Sequence, residues 1–434
     1  MMKSIKQMIL FALLWVMMTG AVQAQEEIVI DFYFPSATAN DAEGIFQRYA
    51  DMFHAENPDI LVNPVFTGGY TDTRQTILTE LQGGGAGPDV AVMLSIDLYS
   101  FAEEGYIVPA QNFIDNMEDG ADYVQDFFPA LMLNSMDENG SLWTIPFQRS
   151  TPILYYNADL LAAAGYDSPP ANNAELVEIA QALDTDERDG LLVPVAGGFP
   201  IWMYQSFAIA YGRNIVSDDP TQVFFNTPEA VAAVEFVRSL GTDLAVGPAG
   251  GAAWGDTPTA FLAEQAAMIY HTTGNLTRIL NDADFEVGVW YLPSGPAGED
   301  GTGYGAPTGG GNLYIFDDGS KSQAELDAIW QWVMFLSSPE IQADWGATTG
   351  YIASTASAWE TEPLASLAAE FPQYLVARDQ LAYVQKEFSS YATITIQGII
   401  NGTLESILTG EAADAQTAMD AAQAQIDGIL AEYR

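Results

Sequence analysis

Few residues in this sequence are equipped for chemistry. There is no cysteine, which removes disulfides, thiolate catalysis and cysteine-rich metal sites together. The two histidines, His54 and His271, are far apart, and two distant imidazoles without a thiolate do not make a transition-metal site. Arg149 stands out because the chain has 13 basic residues against 58 acidic ones. Facing a cleft, its guanidinium would grip a phosphate, carboxylate or sulfate; on the surface it would pair with neighbouring acids. Thr272-Thr273-Gly274, ahead of a predicted helix, would offer hydroxyls and free backbone N–H groups to an oxygen-rich ligand. Ordinary N-capping calls for the same residues. Trp202 and Tyr204 follow a Gly-Gly-Phe-Pro loop and open a helix, where rings either join a core or stack on a sugar face or a quaternary ammonium.

Catalytic patterns are missing from the sequence. It has no G-x-S-x-G elbow, no H-E-x-x-H, no G-x-x-x-x-G-K-[ST] and no EF-hand spacing. Gly309-Gly310-Gly311 is not followed by lysine, so a phosphate cradle is unsupported. A glycosidase needs two carboxylates about 5 to 9.5 Å apart. Among 58 acids such a pair is no signal. No enzyme activity, cofactor or metal is expected, a secreted carbohydrate-active enzyme being the alternative.

Lys3 and Lys6, the uncharged apolar run Met8–Met18 and the small-x-small pattern Val22-Gln23-Ala24 read as a cleaved signal peptide over 1–24. The run is too short for a membrane span, which needs about 20 residues. With no cysteine to carry a lipid anchor, a periplasmic location is expected. The net charge of −45 excludes nucleic acid as a partner and implies a solvated acidic surface suited to saline or alkaline surroundings.

The elements that must position these residues follow from periodicity. Ile28–Phe34, Ile60–Phe66 and Asp89–Leu94 read as strands, separated by helices over 41–56 and from about Thr71 or Thr73 to Leu81. Ile45, Tyr49 and Phe53 form one helical stripe, and Asn57-Pro58 stops it. This rhythm predicts an α/β fold with a parallel sheet. Beyond Trp143 helices dominate: Thr227-Pro228 opens one, and 322–337 and 411–433 are two more. A chain of 434 residues exceeds one ordinary core, so two lobes are expected, the second more helical. Trp254, Trp290, Trp330, Trp332 and Trp345 are assigned to cores and lobe surfaces.

Several segments, in order along the chain, resemble the family 1 extracellular solute-binding proteins of ABC importers, and among them the glycerol-3-phosphate binders. They are Phe53-His54-Ala55-Glu56-Asn57-Pro58-Asp59, Gly69-Tyr70, Gly87-Pro88-Asp89-Val90 and Ile145 through Asn157 (IPFQRSTPILYYN). Ala267-Met268, Thr272-Thr273-Gly274, Gly309-Gly310, Thr349-Gly350-Tyr351, Leu404-Glu405-Ser406 and Thr409-Gly410 continue the series. The resemblance implies a two-lobed periplasmic-binding-protein fold with discontinuous lobes and a hinge. Lobe 1 would be 25–148 with 305–338, and lobe 2 149–304 with 339–434. Crossings are expected near Gln148–Thr151, Gly305–Thr308 and Ser337–Glu340.

The resemblance also implies a site. Its positions fall on Tyr70, Ser95, Ser150, Thr272 or Thr273, Gly309 or Gly310, Tyr351 and, counting back without a gap from Leu404-Glu405-Ser406, Gln397. Gln148 and Arg149 lie on the crossing segment, and Trp202 with Tyr204 would form an aromatic wall. Ligands bind beyond the carboxyl ends of parallel strands, which adds Ser36 beside the Gly68–Tyr70 turn. Two positions depart from the pattern. Ser95 stands where the relatives resemble a glutamate, and Gln397 where they have arginine, so a phosphate grip is weakened. The implied role is capture of a sugar, oligosaccharide or polyol and delivery to membrane permease subunits, by a monomer. Glycerol-3-phosphate, a glycerophosphodiester or another organic phosphate is the alternative solute.

Overall fold

The computed structural model describes residues 27–36, 41–296 and 305–434. The proposed leader, 1–24, lies outside them. In β1 (Ile28–Phe34) alternate side chains Ile30, Phe32 and Phe34 are buried, as a half-covered strand requires. The helix Ala42–Glu56 buries Ile45, Phe46, Tyr49 and Phe53 and returns the chain to β2 (Ile60–Phe66), parallel to β1. The next helix, Tyr70–Gln82, starts one residue before the expected threonines. Its N-cap is Gly69, whose backbone N–H donates to Asp72 (2.9 Å), so neither Thr71 nor Thr73 is the cap. β3 (Val90–Leu94) is buried throughout, in keeping with a central position in the sheet.

β4 (Ile145–Ser150) and β5 (Pro152–Asn157) are separated only by Thr151, yet belong to different sheets. The first sheet has the order β2-β1-β3-β10-β4, with β10 (Gly309–Ile315) antiparallel to both neighbours. The second has the order β6-β7-β5-β8, from β6 (Asp189–Leu192), β7 (Ala266–Thr272) and β8 (Val287–Trp290). A short parallel ribbon, β9 (Ala306–Pro307) with β11 (Val384–Gln385), runs beside the junction.

Each sheet has its own core. Around the first, Phe32 packs edge-on against Phe46 and Trp332, and Trp345 lies against Phe46 and Phe147. Around the second, Met203, Tyr204 and Phe207 pack with Leu404, Ile407 and Met419 of the two C-terminal helices. The helix Pro339–Thr349 serves two clusters: Ile341 and Trp345 join the first core, while Ala343 and Ala347 face a cluster on the second sheet. The helix expected over 322–337 is Gln323–Leu336, closed by a Ser322/Glu325 capping box. Thr227 caps Pro228–Leu240 as its sequence requires.

Candidate functional site: an aromatic-walled cleft between two sheets

A narrow cavity opens where the edges of the two sheets meet. Tyr70, Leu94, Ser150, Gly310 and Tyr351 line one side and Phe199, Trp202, Trp254 and Thr272 the other, with Glu387 completing the wall. Period-two alternation along β4 decides which side chains reach it. Gln148 and Ser150 share one face of β4, while Arg149 between them is covered by β10 and lies close enough for its charge to act on Glu387. Gln148 Nε2 donates to the hydroxyls of Tyr70 (2.7 Å) and Tyr351 (3.2 Å), clasping two lining rings. Burial and the neighbouring Tyr351 push the Tyr70 phenol well above its ordinary value, so it stays protonated. Gln148→Leu would leave both buried hydroxyls without this donor. The two hydroxyls keep their contact with each other, so the loss is that of one buried donor, about 1–3 kcal/mol, and we expect both a lower melting temperature and weaker solute binding, measured by thermal melts and calorimetry.

The opposite wall is aromatic. The Trp254 ring meets Phe199 edge-on at 5.0 Å and Trp202 at 5.9 Å, forming a corner. Trp202 Nε1 donates to Thr308 O (2.8 Å), which fixes the indole against the link between β9 and β10. Gly309 lies directly beneath that indole, where a Cβ would stand 2.6 Å from ring atoms. Behind Trp254, His271 packs at 4.1 Å between ring centroids. Asn275 Nδ2 donates to His271 Nδ1 (2.9 Å), so the ring proton is on Nε2 and is given to Trp254 O (3.1 Å). Burial lowers its pKa to about 4, which keeps this support neutral.

Glu387 comes from the segment after β11. Asn134 holds its backbone on both sides: Asn134 Nδ2 donates to Glu387 O (3.0 Å), and Glu387 N donates to Asn134 Oδ1 (2.9 Å). Ser95 Oγ donates to Oε2 (3.2 Å). Burial pushes the carboxyl up to about 8, against the opposing pull of Arg149 and the Ser95 hydrogen bond.

Arg149 is fully buried and forms no surface ion pair, so that alternative fails: β10 covers β4 at this register, Gly310 against Arg149. Its Nη1 donates to Gly310 O and Asn312 Oδ1, both at 3.2 Å, while Nε and Nη2 have no protein partner. Burial lowers its pKa, but a guanidinium stays charged. It lies behind the lining rather than in it.

The structure thus brings Tyr70, Ser150, Trp202, Thr272, Gly310 and Tyr351 to one cavity, with Gln148 and Ser95 one contact behind. Thr272 Oγ1 also accepts from Gly274 N (3.1 Å), so capping and lining coincide there. Thr273 is buried next to it, its N–H donating to Thr151 O (3.2 Å). Ser36 donates its N–H to Gly68 O (2.8 Å) at the end of β1 and does not line the cavity.

Tyr204 and Gln397 do not line it either. Two residues along a helix are about 200° apart, so with Trp202 in the cleft Tyr204 turns into the core, its hydroxyl donating to Ala230 O (2.7 Å). Gln397 is half-buried on the Thr393–Leu408 helix, and it is Glu387 upstream that reaches the cavity. Trp254, assigned to a core, walls the cleft. Its place just after the glycine-rich stretch 247–251 was the available signal. Among the described residues no lysine or arginine lines the cavity, and no cluster of three or more His, Asp or Glu is placed to hold a metal.

Comparison with known proteins places this architecture. The profile of the family "Bacterial extracellular solute-binding protein" matches residues 48–373. The chain belongs to that family. This solute-binding protein serves an ABC importer, and relatives extend the likeness over most of its length. The sn-glycerol-3-phosphate-binding periplasmic protein UgpB of Pectobacterium atrosepticum is 25% identical over 401 residues, 88% of this chain and 87% of that one. UgpB of Escherichia coli K12 is 26% identical over 325 residues, 72% and 71% of the two chains. Among solved structures, UgpB from Mycobacterium tuberculosis in complex with glycerophosphocholine superposes with TM-score 0.79 at 24% identity, over 93% of this chain and 98% of that one. Maltose-bound MalE3 of T. maritima gives 0.78 at 22% identity, over 94% and 100%. The two-lobed fold of the solute-binding protein is therefore shared with binders of quite different solutes, and its ligand must be argued from its own cleft.

Proposed function

We propose that this binding protein captures a neutral sugar, small oligosaccharide or polyol between its lobes and delivers it to the permease. The observation that carries this reading is the pairing of the Phe199–Trp202–Trp254 corner with hydroxyl and carboxyl groups across a cavity that no cation lines. Aromatic faces stack on the apolar face of a pyranose, and Tyr70, Ser150, Thr272, Tyr351 and Glu387 supply partners for its hydroxyls. The lobes are taken as 25–148 with 305–338 and 149–304 with 339–434, closing on the solute about the junction. The work is binding, not catalysis, carried out by an exported monomer in the periplasm.

A second reading draws on Arg149. Its buried, unpartnered Nε and Nη2 favour an organic phosphate, and the aromatic corner also suits a quaternary ammonium, as in a glycerophosphodiester. A thermal-shift panel of mono- and oligosaccharides, polyols, glycerol-3-phosphate and glycerophosphocholine separates the two. Solute at about 100 times its Kd adds roughly 2.7 kcal/mol, a rise of a few degrees. We expect neutral sugars to shift the melt and to compact the protein in X-ray scattering. Shifts confined to phosphates would replace the first reading with the second.

A further inference from the structure

We propose that Glu387 selects the solute: its Oε1 accepts hydrogen bonds from hydroxyls of a neutral sugar or polyol, and binding releases the carboxyl proton to solvent. This rests on reading the aromatic-walled cleft as the solute site, and deepens it by naming the group that makes the site prefer hydroxyl donors over anions. The geometry is specific. Asn134 clamps the backbone of Glu387 on both sides, and Ser95 occupies Oε2. Oε1 is left with no partner among the described residues, on a side chain that lines the cavity. A carboxyl buried this deeply, without a cation in contact, is stable as the neutral acid until something supplies donors. Two ligand hydroxyls would do so. The acid O–H breaks, its proton passes to water, and the carboxylate keeps the electron pair and accepts both hydroxyl hydrogens.

Charged and titratable groups face Glu387 from each packed element, and Glu387→Gln separates its proton from theirs. From β4, Arg149 stays charged and favours the carboxylate. From the turn after β3, burial pushes the Asp97 carboxyl above its ordinary value even with Arg74 of the Tyr70–Gln82 helix at 2.9 Å, and its charge opposes that of Glu387. Tyr70 on that helix and Tyr314 on β10 are both driven far above their ordinary value by burial. Across the cavity His271 is neutral above about pH 4.

The sign follows from linkage. A solute that binds the carboxylate pulls its pKa below the empty-site value of about 8, so affinity is full above pH 8 and weakens, at most tenfold per pH unit, below it. A phosphate-bearing solute would show the opposite slope, repelled as Glu387 ionises.

The test is calorimetry of the mature protein between pH 6 and 9.5, in buffers of different ionisation enthalpy, with maltose, D-tagatose and glycerol as probes. Wild type should release close to one proton per bound probe near pH 6.5 and none at pH 9.5, binding tightest at the alkaline end. Glu387→Gln should release none, show a flat profile, and bind at least tenfold more weakly at pH 9. Trp202→Ala, tested alongside, should bind at least about 30-fold more weakly whatever the pH. Sugar binding that is pH-flat in wild type and unaltered in Glu387→Gln would overturn the inference while leaving the cleft reading in place. Unchanged affinity in Trp202→Ala, or a complete failure of all three probes, would overturn the cleft reading and the inference with it.

Discussion

Trp202→Ala is expected to weaken solute binding by at least about 30-fold and to lower the melting temperature by several degrees. The indole has three duties that alanine cannot perform. It walls the cleft, it packs with the core of the second sheet, and its N–H satisfies the Thr308 carbonyl between β9 and β10. Centrally placed aromatic contacts typically carry about 2 kcal/mol or more of binding, hence the 30-fold figure. Removing a buried tryptophan costs about 3–5 kcal/mol of stability. Trp202→Phe separates the duties: it keeps a stacking face but drops the hydrogen bond to Thr308. We expect it to recover most of the affinity and part of the stability, read by calorimetry and by circular-dichroism melts. Unchanged affinity in Trp202→Ala would mean that the aromatic corner does not hold the solute.

Gly310→Ala is expected to be the most damaging small substitution on the cleft floor. Gly310 has φ +88, and a Cβ there would stand 2.1 Å from the backbone oxygen of Gln148, which cannot move without breaking the β10–β4 pairing. Left-handed backbone alone costs alanine about 1–2 kcal/mol. The clash adds the loss of the register that aims Gln148 and Ser150 at the cleft. Gly319→Ala is the matched control, since Gly319 has φ +86 but nothing within 4 Å of the added Cβ. Chemical denaturation should show only the backbone cost at 319 and at least about twice that at 310, with solute binding lost in Gly310→Ala alone. Equal effects at the two sites would show that the close approach is not decisive.

Much of the first lobe was legible because its signals are local. The β1–helix–β2 rhythm and the stripe of Ile45, Tyr49 and Phe53 depend on neighbours a few residues apart, and the structure has them within a residue or two. The cleft was legible in part. Tyr70, Ser150, Thr272, Gly310 and Tyr351 sit in segments that resemble known binders, and all five line one cavity. What was illegible depends on chain pairings far apart in sequence. Arg149 is hidden because β10, more than 150 residues downstream, covers it, and no local pattern distinguishes that from exposure. Glu387 is one acid among 58, and only the contacts to Ser95 and Asn134 single it out. Tyr204 was a matter of helical phase: placing Trp202 in the cleft already turns its neighbour two residues on into the core.

The aromatic corner has a consequence for how the protein behaves as a colloid. If the lobes part to admit solute as proposed, Phe199, Trp202 and Trp254 would be laid open together as a patch of the kind through which copies of a protein stick to one another. The same molecule carries a net charge of −45, so every encounter between two open copies begins with mutual repulsion. That repulsion fades beyond about 10 Å at 0.1 M salt and closer still in brine. An acid excess this large thus keeps a sticky mouth usable in dense surroundings of modest ionic strength, where a neutral protein with the same cleft would clump.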